Sequence, residues 1–129
     1  MLKTIEEIFK DWTTTERQLQ GPNSKNSHQL DFRFDSIAFL AKSLSDENRL
    51  RVLLCIGDEK KSVSRIVEEL KLSQPLVSHH LKELKRSLLV QVERNGPFIY
   101  YEIADHKVLD IIKNLDAFAK GLLAQRNAF

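Results

Sequence analysis

Residues 62–103 read SVSRIVEELKLSQPLVSHHLKELKRSLLVQVERNGPFIYYEI, and the punctuation of this stretch decides the fold. Ser64 can cap a short helix that carries Ile66, Val67 and Leu70 at helical spacing. Lys71-Leu72-Ser73 makes a three-residue turn. Ser73 then caps a second helix, which tolerates Pro75 because the first helical turn has no intrahelical N–H bond to lose. In this second helix Val77, Leu81, Leu84 and Leu88 fall on one side, and Gln74, Ser78, His79, Lys82, Lys85 and Arg86 spread over the rest. Two β-rich runs follow, LLVQVER and FIYYEI, and the Asn95-Gly96 between them signals a tight hairpin with Arg94 and Asn95 at its tip. Two short helices on a tight turn, followed directly by a hairpin, predict a mainly α, α+β fold with a β-hairpin wing: a winged helix-turn-helix.

Working outward, residues 34–44 predict a helix with Phe34, Ile37, Ala38, Leu40, Ala41 and Leu44 available for burial. Ser45-Asp46 breaks and recaps the chain. The next helix has Asp46 and Glu47 at its positive end, carries Leu50, Leu53 and Leu54, and ends at Gly57. A last helix is expected from about Ala104 to Gln125, with Val108, Ile111, Ile112, Leu115, Phe118, Leu122 and Leu123 repeating along it. Near the N-terminus Leu2, Ile5, Ile8, Phe9, Trp12 and Leu19 draw an apolar stripe that stops at Gly21-Pro22. The polar, turn-rich PNSKNSHQ then separates an appendage, residues 1–31, from a DNA-binding domain with a C-terminal dimerisation helix, residues 32–129.

The chain has 129 residues, of which 42% are hydrophobic, enough for one moderate core and too few for a two-domain enzyme. A lone cysteine, Cys55, excludes an intrachain disulfide framework and suits a reducing cytoplasm. The N-terminus mixes Glu6, Glu7 and Asp11 into its apolar residues, unlike a signal-peptide core, and the longest apolar run, Val52 to Ile56, is too short to span a bilayer. The net charge is only +2, but it is unevenly placed. Between Lys71 and Arg94 five basic residues face two acidic ones, a surplus of +3, while residues 1–57 and 95–129 balance and 58–70 sum to −1. The surplus coincides with the second helix and the wing, as double-stranded DNA binding requires. Gln74, Ser78 and His79 can hydrogen-bond to base edges, Lys82, Lys85 and Arg86 can neutralise phosphates, and Arg94 can reach an adjacent groove.

From about Ala41 to Leu115 the chain resembles the ArsR/SmtB family, the arsenic-repressor and metal-sensor group of winged-helix repressors. The resemblance rests on LAKSLSDENRLRVLL, SQPLVSHHLKELKRSLLV and RNGPFIYYEIADHKVLDII. Ser73, Val77, Ser78, His79, Leu81 and Leu84 are its most specific part, seconded by Arg94, Gly96, Tyr100 and Tyr101. It implies a homodimeric repressor that leaves its operator on binding an inducer, with Gln74, Pro75, Ser78 and His79 at base-contacting positions. Dimerisation has a physical basis too. The last helix and the N-terminal stripe with Phe9 and Trp12 offer more apolar surface than one small domain can cover, so both are expected at a homodimer interface, which favours an inverted-repeat operator.

The family's sensing positions differ here. Where arsenic and cadmium sensors place cysteines, this chain has Ser62-Val63-Ser64. Of the zinc-type ligand set only Asp105 matches, because Lys107, Phe118 and Gly121 stand at the other positions, so no metal or other cofactor is expected. Cys55 reads as a small core hydrophobe, against a sharper reading as a redox thiol. His28 with Asp31 reads as a solvated loop, His79 as a DNA contact, and His80 as packed or hydrogen-bonded to the wing. Phe9, Trp12 and Phe118 either pack the dimer or line a pocket for an apolar inducer. With no phosphate loop, catalytic triad or carboxylate cluster, an enzyme is not expected. The alternative to a DNA-binding regulator is a winged-helix module that docks on a protein through its N-terminal helix.

Overall fold

The computed structural model describes residues 32–126. Residues 35–126 belong to one compact unit. Helix α1 (Phe34–Ser43) leads into α2 (Glu47–Ile56), α3 (Val63–Leu70) and α4 (Gln74–Arg86), then the strands β1 (Val90–Asn95) and β2 (Phe98–Ile103), and finally α5 (Lys107–Gln125). The N-terminal stripe and the linker, including Phe9, Trp12, His28 and Asp31, lie outside the described residues.

Each helix boundary has a local cause. Asp46 adopts an extended backbone and its carboxylate accepts the Arg49 N–H at 3.0 Å, which caps α2. Arg49 turns back in the other direction: its Nε donates to the Ser43 carbonyl at 2.8 Å, satisfying an orphan acceptor at the end of α1. Helix α2 stops at Gly57, whose φ of 54° is the left-handed conformation that favours glycine. Helix α3 is capped by Ser62, whose Oγ accepts the Arg65 N–H at 3.2 Å. The expected cap, Ser64, lies inside the helix instead. The reason is upstream: Lys61 exchanges both backbone hydrogen bonds with Tyr101, at 2.9 and 2.8 Å, which keeps the chain extended up to Ser62 and no further. Lys71 takes the left-handed conformation, φ 55°, to close the turn, and Ser73 caps α4 through Leu76 N–H at 3.3 Å.

The core is assembled from one side of every element after α1. Val52, Leu53 and Ile56 of α2, Ile66 of α3, Val77, Leu81 and Leu84 of α4, Val90 and Ile103 of the hairpin, and Val108 and Ile112 of α5 are all buried. The hairpin is antiparallel, with Val90 opposite Ile103 and Asn95 opposite Phe98, so its two-residue turn is Gly96-Pro97. Gly96 has a φ of 63°, while Asn95 closes β1. The Lys61–Tyr101 bridge fastens the far side of β2 to the segment ahead of α3.

Three sequence expectations are corrected here. Leu88 is not buried with Val77, Leu81 and Leu84: α4 ends at Arg86, and Leu88 turns outward at φ 66° with 79% of its surface exposed. The last helix begins at Lys107 rather than Ala104, because the Asp105 carboxylate accepts the Lys107 N–H at 3.0 Å and ends the preceding turn. Helix α1 buries none of its residues, and Phe34, Ile37 and Leu40 are exposed, whereas Leu44 packs partly against the core.

Two stability measurements follow. Left-handed backbone at a non-glycine residue is strained, so Leu88→Gly is expected to stabilise the fold by about 0.5–1 kcal/mol, seen as a higher urea midpoint with unchanged slope. Asp46→Ala is expected to cost about 1 kcal/mol in the same assay at pH 7. The Arg49 N–H, foremost, holds the Asp46 carboxyl below its ordinary value. Its contribution is therefore complete above the unfolded carboxyl range and is lost as pH falls through the lower folded value, so the gap between wild type and Asp46→Ala closes in acid.

Candidate nucleic-acid interface

At 100° per residue, Gln74, Lys85, Ser78, Lys82, Pro75, Arg86 and His79 fill one continuous arc of roughly 140° on α4. Val77, His80, Leu81 and Leu84 occupy the opposite arc and are buried. Ser78 is half-buried and the other six outward residues are exposed. No acidic side chain lies in the arc, since Glu83 sits beyond its edge. Lys82, Lys85 and Arg86 form no salt bridge among the described residues, so their charge is not spent within the domain. Lys85 and Arg86 also stand in the last turn of α4, at the negative end of its dipole.

The hairpin extends the basic surface. Arg94 and Asn95 are exposed near its turn and, as neighbours on a strand, point to opposite faces. The adjacent Glu93, which would oppose a phosphate, is ion-paired with Lys60.

The inward arc holds a residue whose surroundings the sequence did not reveal. His80 is only 4% exposed and its Nε2 faces the Asp46 carboxylate at 3.7 Å, across to the start of α2 rather than to the wing. Burial pushes its pKa down, against the pull of Asp46. Its Nδ1 is buried with no hydrogen-bond partner. The neutral ring thus packs α4 against the α2 cap, while His79, one residue before it, is left to solvent.

A second polar cluster anchors the wing. Lys61 is 9% exposed, and its ammonium donates to the Cys55 carbonyl and to Glu69 Oε2, the latter at 2.7 Å. Arg65 Nε donates to the other oxygen of Glu69 at 3.0 Å. The Lys61 hydrogen bond, followed by that from the Cys55 thiol, holds the Glu69 carboxyl down at about 2. Cys55 packs partly against the core as expected, but it also donates to Glu69 Oε2 at 3.1 Å, with Lys61 Nζ 4.0 Å from its sulfur. Burial, then the bond to Glu69, pushes the thiol up to about 11 despite Lys61. Sequence adjacency showed no cation beside Cys55. The fold supplies one, and the carboxylate outweighs it.

Residues named for sensing are scattered. Asp105 is spent on the turn before α5, and His106 Nε2 lies 3.7 Å from Asp58 Oδ1 at an exposed position. Among the described residues no three His, Cys, Asp or Glu side chains are grouped to hold a metal ion. Phe118 is 64% exposed on an apolar stripe of α5 with Ile111, Leu115 and Leu122. An open groove of about 480 Å³ lies elsewhere, between α1 and the turn after α4, lined by Phe39, Leu40 and Leu88 among others. No described helix is long and apolar enough to cross a membrane.

Residues 46–92, from the α2 cap to the first strand, match the model of the bacterial regulatory protein, arsR family. An HTH-type transcriptional regulator of Methanocaldococcus jannaschii is 34% identical over 85 residues, 65% of this chain and 96% of that protein. The chain belongs to the arsR family. Other members similar to it include the cadmium resistance regulatory protein CadC of Listeria innocua, 30% identical over 79% of this chain and 87% of that one. The repressor SmtB of Mycobacterium tuberculosis is 36% identical over 66% of this chain, which spans 62% of its length. Among solved structures, HlyU from Vibrio cholerae superposes with a TM-score of 0.59 at 28% identity, covering 66% of this chain and 90% of that one. A homodimeric winged helix-turn-helix domain of Mycobacterium bovis shares the fold, with a TM-score of 0.63 at 24% identity over 81% of this chain and 99% of that one. Membership in the arsR family favours a DNA-binding transcriptional regulator over a protein-docking module.

The Cys55 environment makes a direct prediction. At pH 8 iodoacetamide is expected to modify Cys55 about a hundredfold more slowly than an unperturbed thiol, because so little thiolate is present. Glu69→Gln, which removes the carboxylate, is expected to speed it; equal rates by mass spectrometry in wild type and variant would contradict the role given to Glu69.

Proposed function

We infer that this arsR-family regulator is a repressor that binds an inverted-repeat operator as a homodimer and releases it on a cellular signal. The observation that carries this reading is the outward arc of α4, which combines Gln74, Pro75, Ser78 and His79 for base edges with Lys82, Lys85 and Arg86 free for phosphates. Arg94 and Asn95 of the wing add contacts beside the same groove. Two copies are called for by the apolar stripe of α5, where Ile111, Leu115, Phe118 and Leu122 stand exposed in the single chain. The N-terminal segment with Phe9 and Trp12 would join that interface, leaving residues 32–129 as the DNA-binding and dimerising domain. The homodimeric relative of the same fold and the repressors among the similar proteins support this arrangement.

The test is selection of duplexes from a random library on the full chain, followed by titration of the enriched sequence at several salt concentrations. Enrichment of a two-fold symmetric site with affinity falling steeply in salt is expected. Ser78→Ala with His79→Ala should weaken binding to that site by about 1–3 kcal/mol per lost base contact, while sedimentation still shows a dimer. Equal affinity for selected and random duplexes would overturn the reading.

A further inference from the structure

The wing tip holds an unassigned side chain. Phe98 follows the Gly96-Pro97 turn directly, and 61% of its surface is exposed. It is paired with Asn95 across the hairpin. Its ring leans on that of Tyr100, two residues along the same face, with centroids 6.3 Å apart and planes 32° from parallel. A phenylalanine in the interior of a small domain is explained by the core. One at the far end of a hairpin, packed on no core residue, contributes nothing to that core, and its contact with Tyr100 leaves most of its surface free.

We propose that Phe98, beside Pro97, is a wedge that enters the minor groove flanking the recognition helix and partly unstacks a base step there. The proposal rests on the DNA-binding reading above. Its chemistry is that of minor-groove architecture: Arg and Asn side chains that read groove width and acceptors, next to an apolar residue that inserts between bases. Asn95 and Pro97 stand beside Phe98 at the turn, and Arg94, on the opposite face of the ribbon, completes the set within five residues of chain. Charge agrees, because Arg94 forms no salt bridge among the described residues and the neighbouring Glu93 is held by Lys60.

Reach agrees as well. Six residues of extended strand span about 20 Å, and the groove beside the one that α4 would occupy lies half a helical turn away, about 17 Å. The strand leaves α4 almost at once, since Leu89 N–H bonds the Leu84 carbonyl at 3.0 Å, so hairpin and recognition helix move as one body. A protein or lipid partner is a poorer match, because the exposed apolar surface at the tip is confined to Pro97, Phe98 and Ile99, with a cation and an amide directly across the hairpin from the last two.

Insertion at a step that unstacks easily gives sequence preference at positions that α4 does not touch, with pyrimidine–purine steps favoured, and it bends the duplex. The experiment uses the full chain and the duplex it enriches from the random library, with 2-aminopurine placed in turn at each flanking step and a fluorophore pair at the ends. Wild type is expected to raise 2-aminopurine fluorescence at one step on each side and to shorten the end-to-end distance. Phe98→Ser should abolish both signals and weaken binding about tenfold, with an unchanged melting temperature, whereas Phe98→Leu should retain part of each. If Phe98→Ser binds, bends and unstacks as wild type does, while Ser78→Ala with His79→Ala still weakens binding to the enriched site, the wedge is wrong and the DNA reading stands. If no duplex is enriched at all, both fall together.

Discussion

Val77, Leu81 and Leu84 of α4 are fully buried, and this burial fixes the helix about its own axis. Turning it by one residue position would bring large aliphatic side chains, each worth roughly 1.5–3 kcal/mol when buried, into water and push lysines into the core. The outward arc from Gln74 to Arg86 is therefore as rigid as the core beneath it. A surface proposed to match the edges of base pairs needs that rigidity, because misplacing a bidentate contact by an ångström forfeits it.

The wing and the start of α2 are tied to this helix by polar groups, and the two ties differ in character. Lys61 holds the base of the wing by two backbone hydrogen bonds to Tyr101 while its ammonium joins Cys55 and Glu69 on α2 and α3. Nearly every donor and acceptor there is used, which is the condition under which a buried charge is tolerated. At the other tie, His80 is buried neutral with its Nδ1 unpartnered, facing the Asp46 cap. The α2 N-terminus and the recognition helix thus meet over a group that prefers to stay uncharged. The first tie also keeps a reactive group quiet: burial and the bond to Glu69 raise the Cys55 thiol out of the range where it would act as a nucleophile.

Much of this was legible in the order of residues. The Ser73 cap, Pro75 in the first turn of α4, the Asp46 cap, the Gly57 stop and the alternating hairpin are local signals, and local signals survive without knowledge of the rest of the chain. The errors arose where a distant contact overrode a local signal or where a helix ended before its apolar spacing did. Ser62 displaced Ser64 as a cap because the Tyr101 bridge holds the preceding residue extended. Leu88 matched the spacing of the buried stripe, but the helix ended before it and turned it outward. The lysine that neighbours Cys55 lies six residues away and arrives only through the turn between α2 and α3.

The sequence by itself determined the element types, the tight helix-turn-helix, the family and the concentration of positive charge between Lys71 and Arg94, because each depends on spacing, capping chemistry or composition within a few residues. Only the tertiary structure decided which side of each amphipathic element is satisfied. It covers the inner arc of α4 and leaves α1 and the stripe of α5 bare, buries His80 while exposing His79, and sets Phe98 at the outer end of the wing. Periodicity states that a face is apolar. What lies against that face is a matter of distant residues brought together, and the pattern along the chain carries no information about them.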